Sequence, residues 1–103
     1  MPKYVFAYHG GKKPATPEEG EKAMAAWNKW YQDMGDKVAD PGYPVGMSKT
    51  VSRSGVADNG GSNPLSGVTV VTADSIDKAC EMAKGCPILA DNGTVEIAEA
   101  LQM

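Results

Sequence analysis

The run Gly67-Val68-Thr69-Val70-Val71-Thr72-Ala73 constrains this chain more than any other segment. It is a nearly continuous series of β-formers, a pattern that fits a strand covered on both faces and so predicts a central, buried position. A helix start follows at once. Asp74 or Ser75 caps it, and Ile76, Ala79, Cys80 and Ala83 form its buried stripe. Gly85 ends it, with Pro87 just beyond.

The N-terminal segment supplies a second strand. Tyr4, Phe6 and Tyr8 alternate with Lys3, Val5, Ala7 and His9, the period of two that a strand requires. Both of its faces carry apolar side chains, so both call for cover. Thr16-Pro17-Glu18-Glu19 then opens a helix: Thr16 caps, Pro17 gives up no needed donor, and Glu19 completes a capping box. Ala23, Met24, Ala26, Trp27, Trp30, Tyr31 and Met34 fall on one side of that helix, which makes it amphipathic. Gly35 is placed to end it.

The segment from Asp36 to Gly67 is the least regular. Asp40-Pro41-Gly42 and Tyr43-Pro44-Val45-Gly46 read as turns. Ser48–Ser52 reads as a strand, Arg53-Ser54-Gly55 as a hairpin tip, and Val56–Asp58 as a short return strand before the loop Asn59–Pro64. Asn92-Gly93 turns into a last strand over Thr94–Leu101, with Val95, Ile97 and Leu101 on one face and Glu96 on the other.

This order predicts one α+β domain over residues 1–103: a ferredoxin-like βαββαβ plait, with an antiparallel sheet and two helices on one face. Val5, Ala7, Val68 and Val70 then leave a second apolar sheet face. A homodimer packed sheet on sheet is the expected remedy, since an apolar face of several hundred Å² invites aggregation.

Composition narrows the function classes. A hydrophobic content of 42% with 22% charged residues is that of a globular chain. The net charge of −3 disfavours nucleic acid and anionic membrane as partners. The apolar stretch at the N-terminus is too short for a signal-peptide core or a membrane span, so the expected location is cytoplasmic. Cys80 and Cys86 form no Cys-x-x-Cys pair and are expected to be free, mostly buried thiols. One histidine and two cysteines fall short of a structural zinc set. The phosphate loop, the dinucleotide fingerprint and the serine elbow are missing too, so no cofactor is expected.

His9 is the one histidine, and it ends its strand at Gly10-Gly11. It is the side chain suited to proton transfer near neutrality, and the glycines permit close approach of a ligand. The alternative is a strand-end histidine bonded to a local carbonyl. Trp27, Trp30 and Tyr31 are either core or the wall of an aromatic pocket between helix and sheet. Ser62 and Asn63 offer polar contacts from their loop. Lys49 and Arg53 could meet an anion, but on a hairpin such charges are usually solvated.

Lys3–Tyr8, Ser48-Lys49-Thr50-Val51, Asp58 before a glycine-rich loop, Gly67–Val71 followed by Asp74–Ala79, and Cys86-Pro87 leading to Gly93–Ile97 occur here in an order and spacing that resemble the YCII-related family, including its DGPF-like members. The resemblance spans nearly the whole chain. It implies a dimeric α/β barrel and a His/Asp pair in a pocket, and one relative removes chloride from a chlorinated hydroxyhydroquinone. Asp58 is the carboxylate that matches, with the implied role of orienting His9; otherwise it is a turn aspartate. The chain departs from the family where Met24–Asn28 holds no histidine, and where only Asp58 of the Asp-Gly-Pro-Phe motif survives. Two functions follow as expectations. One is a cofactor-independent acid/base enzyme, an isomerase or lyase acting on a small aromatic or enol-like molecule through His9 and Asp58. The other is a non-catalytic small-ligand binder or dimeric accessory protein.

Overall fold

The computed structural model describes residues 2–11 and 14–102, so two residues of the loop expected over Gly10–Ala15 lie outside it. Six strands and two helices run in the order β1 (Lys3–His9), α1 (Pro17–Met34), β2 (Val38–Pro44), β3 (Thr50–Ser52), β4 (Gly55–Ala57), β5 (Leu65–Thr72), α2 (Ile76–Ala83) and β6 (Thr94–Glu99). Short 3-10 turns follow α1 at Gly35–Lys37 and precede β6 at Pro87–Asp91. Four strands form one antiparallel sheet in the order β2-β5-β1-β6. With the two helices this is the α+β arrangement the sequence predicts, compatible with a ferredoxin-like plait. β5 and β1 take the centre.

The helix starts form as their residues dictate. The Thr16 hydroxyl accepts from the Glu19 N–H at 3.2 Å, and the Glu19 carboxylate accepts from the Ala15 N–H at 2.9 Å, one residue earlier than in a standard capping box. Ser75, rather than Asp74, caps α2 by accepting from the Lys78 N–H. On α2, Ala79 and Ala83 are buried as expected, whereas Ile76 is exposed.

One strand of the sheet differs from expectation. The edge strand is Val38–Pro44, which local turn chemistry had disguised, while the expected hairpin at β3 and β4 forms a two-stranded sheet of its own. Asp40-Pro41-Gly42 is a turn-like interruption inside a strand: Asp40 pairs with Val70, the register skips, and Tyr43 pairs with Val68. The Asp40 carboxylate accepts from the Gly42 N–H at 2.9 Å, and Gly42 has φ 67°. An edge position tolerates Pro41, which has no N–H to offer a neighbour.

Alternation along the strands sorts the two faces. Tyr4, Phe6 and Tyr8 lie under the helices with Thr69 and Val71 of β5. Trp30 and Met34 of α1 and Ala79 and Ala83 of α2 complete the buried cluster, so both helices cover this one face. Val5, Ala7, Val68 and Val70 face the other way and are half-buried. The molecule is 19 Å through its thinnest direction, and its radius of gyration of 14.7 Å exceeds the roughly 13 Å usual for this length.

Candidate functional site

His9 and the aromatic residues expected to shelter a substrate beside it lie on opposite sides of the sheet. His9 shares its face with Val5 and Ala7, and the cross-strand register places Glu96 on that face, diagonal to it. His9 Nδ1 lies 3.0 Å from the Asn63 carbonyl oxygen and 3.3 Å from that of Pro64. Carbonyls only accept, so Nδ1 carries a proton. Nε2 lies 3.0 Å from Glu96 Oε1, an ion pair whenever the imidazole carries its second proton. The His9 side chain is only 9% exposed, against 66% for Glu96.

The expected partner is elsewhere. Asp58 is 88% exposed and pairs with Lys49 at 3.3 Å, across the base of the β3–β4 hairpin. The His9 carboxylate contact is therefore with Glu96. Asn63 reaches His9 through its backbone, and Ser62 is exposed in the same loop. A local reading had no means of choosing Glu96, which lies 87 residues away. The available signal was the strand pattern, which sets Glu96 opposite Val95 and Ile97.

On the helix side, α1 and the β2 edge enclose a cleft of about 480 Å³. Trp27, Tyr31, Tyr8 and Tyr43 contribute to its walls, and Met24, 68% exposed, stands at its lining. None of the described lining residues carries a charge. Trp27 meets Tyr8 edge-on at 5.0 Å between ring centroids and lies 6.0 Å from Tyr31. Trp30 is instead a core residue. It stacks on Phe6 at 6.2 Å and donates its indole N–H to the Met82 carbonyl.

Beneath this cleft the fully buried Thr69 hydroxyl joins three groups. It donates to the Pro41 carbonyl at 3.0 Å and accepts from the Tyr8 hydroxyl at 2.8 Å, and the Tyr31 hydroxyl lies 3.0 Å away. Burial pushes the Tyr8 phenol far above its ordinary range, so it stays neutral. In the sequence Thr69 reads as one more β-former in a strand, which is why this junction goes unseen there.

A larger groove of about 660 Å³ flanks the other side of α1, but Lys22, Lys29, Asp33 and Asp91 line it and leave it open to solvent. Among the described residues no group of three or more His, Cys, Asp or Glu side chains is placed to hold a metal ion. Nor is any helix long and apolar enough to cross a membrane. No family model, curated protein or solved structure matches this chain.

The two thiols differ in setting. Cys86 is buried and Cys80 partly so, and burial pushes the Cys86 thiol up to about 11. Below pH 9 the thiol is protonated in folded and unfolded chains alike, so it leaves stability unchanged there. As pH rises from 9 to about 11 the unfolded chain loses this proton first, and stability falls. The buried Tyr8 phenol adds a loss of the same sign above pH 10. Urea denaturation between pH 7 and 11 should show a plateau and then a decline, and a Cys86→Ala variant should show a shallower one. Equal slopes in the two proteins would remove Cys86 as a cause.

Proposed function

We propose that the protein binds a small, flat, largely apolar molecule in the cleft between α1 and β2. The observation that carries this is an aromatic-walled cavity of about 480 Å³ with a polar junction, Thr69, beneath it. That volume lies within the range of ordinary small-molecule sites, about 300–1,000 Å³, and the pairing of apolar walls with a few polar groups is their usual make-up. Trp27 supplies the largest side chain of the wall. A ligand-observed NMR screen of neutral bicyclic aromatics should find binders with Kd on the order of 10 μM to 1 mM, and Trp27→Ala should weaken them about tenfold or more. Failure to find a binder, or equal binding to the variant, would overturn the reading.

The acid/base alternative, an isomerase or lyase using His9, draws support from the 3.0 Å contact to Glu96. It ranks second because both ring nitrogens already have partners and the ring is nearly buried. Such chemistry would also take place across the sheet from the cleft. The kinship with the YCII-related family is likewise a proposal, and binding in the cleft needs no His/Asp pair.

The same reading includes a second copy of the chain on the open sheet face, as in a dimeric α/β barrel. Val5, Ala7, Val68 and Val70 are half-buried there with no covering layer among the described residues. The β3–β4 hairpin also carries the directly paired Val51 and Val56, which are 77% and 64% exposed. An isolated two-stranded hairpin is marginal in water, which favours its being covered by a second copy. Light scattering should give twice the chain mass, falling to one chain mass in Val70→Lys. A monomeric parent would exclude the dimer.

A further inference from the structure

The hydrogen bonds around Thr69 allow one arrangement of protons. The Pro41 carbonyl has no proton, so the Thr69 hydroxyl must donate to it at 3.0 Å. Having one proton, Thr69 can then only accept from its other neighbours. Tyr8 donates to it at 2.8 Å, and Tyr31, at 3.0 Å, is forced into the same role. Both phenolic protons are thereby committed inward, and both tyrosines contribute to the cleft wall. What their oxygens still offer is lone pairs.

We infer, resting on the ligand-binding reading above, that the cleft selects a neutral aromatic molecule carrying a hydroxyl or N–H donor, a phenol or its like, with that donor directed at the Tyr31 oxygen. Two competing ligand classes fare worse on the same physical grounds. A carboxylate would set its own lone pairs against those of Tyr8 and Tyr31, and although Asn28 and Tyr43 at the lining can donate, no cation among the described lining residues offsets the repulsion. A cation would find lone pairs and aromatic faces but no counter-charge. Faces of this kind return less than burying an unpaired charge costs. Tyr31 is the natural contact because it is only partly buried, whereas Tyr8 is almost wholly covered.

Three probes on one skeleton test this: 2-naphthol, 2-methoxynaphthalene and naphthalene-2-carboxylate, titrated by NMR at neutral pH. The naphthol has a donor, the ether has only an acceptor, and the carboxylate is an anion. The naphthol should bind about five- to tenfold tighter than the ether, the worth of one added hydrogen bond, and the carboxylate should bind weakest. In Tyr31→Phe the naphthol should lose that advantage while the ether keeps its affinity. If none of the probes binds, the cleft is not a ligand site and the broader reading falls with the inference. If naphthol and ether bind equally, or the carboxylate binds tightest, binding stands and the donor selection is wrong. If Tyr31→Phe weakens naphthol and ether by the same factor, Tyr31 acts through packing alone and the assignment of its oxygen is wrong.

Discussion

Replacing Phe6 with alanine should cost about 3–5 kcal/mol, the range for emptying an aromatic site in a packed core. Phe6 is fully buried at the middle of β1, paired across to Thr69 on one side and Ile97 on the other. Its ring lies 17° from parallel with that of Trp30. Removing it leaves the sheet and α1 facing each other across a void, and neither backbone can close far. Both β1 neighbours are fixed by strand pairing, and Trp30 is held by its bond to Met82. Stabilities of small domains lie near 5–15 kcal/mol, so this single change would consume a large share. Urea denaturation followed by circular dichroism measures it. A loss below about 1.5 kcal/mol would mean that the ring does not sit in a packed core.

Gly42→Ala should be the next most damaging substitution, at about 2–4 kcal/mol, for reasons of backbone rather than burial. Two penalties coincide there. The φ of 67° is a left-handed conformation that alanine adopts at a cost of about 1–2 kcal/mol. An added Cβ would also overlap the carbonyl oxygen of Val68 on β5, an atom of the neighbouring strand that has no room to withdraw. The expected outcome is loss of the β2 edge before loss of the whole fold. Because Pro41 and Tyr43 flank the glycine, ligand binding in the cleft should weaken along with it. Hydrogen exchange read residue by residue separates the two: faster exchange at Val68 and Val70 with little change along β6 is the expected pattern. Uniform acceleration across the sheet would instead mean that β2 has no independent stability.

How far the sequence could be read depends on how local the deciding physics is. Thr16 with Glu19, and Ser75 before α2, are legible because a cap is settled within four residues. The β3–β4 hairpin is equally local, and its expected residues pair as Thr50 with Ala57 and Val51 with Val56. β2 was illegible because Asp40-Pro41-Gly42 has every local mark of a turn and is one. It is a turn contained within a strand, and only pairing with β5 some thirty residues later makes the segment part of the sheet. The site followed the same rule. Trp27 and Tyr31 were recognisable as a helix face, whereas the Thr69 junction joins Tyr8, Tyr31 and Pro41 from three other elements. For Asp58, a lysine on the adjoining strand segment offers a nearer partner than a histidine on β1.

The interruption at Asp40-Pro41-Gly42 also affects how these molecules behave when crowded together. A sheet edge with free N–H and C=O groups is a template on which another chain can add a strand, and long flat edges lead to fibres. β2 is one of the two outer strands of this sheet. Its skipped register, with Pro41 and Pro44 lacking N–H groups, denies an incoming strand a regular ladder. The opposite edge, β6, is regular but short, and it carries Glu96 and Glu99. A like copy stacked there in register would bring those carboxylates together. Side-by-side polymerisation is thus opposed by missing donors at one end of the sheet and by charge at the other.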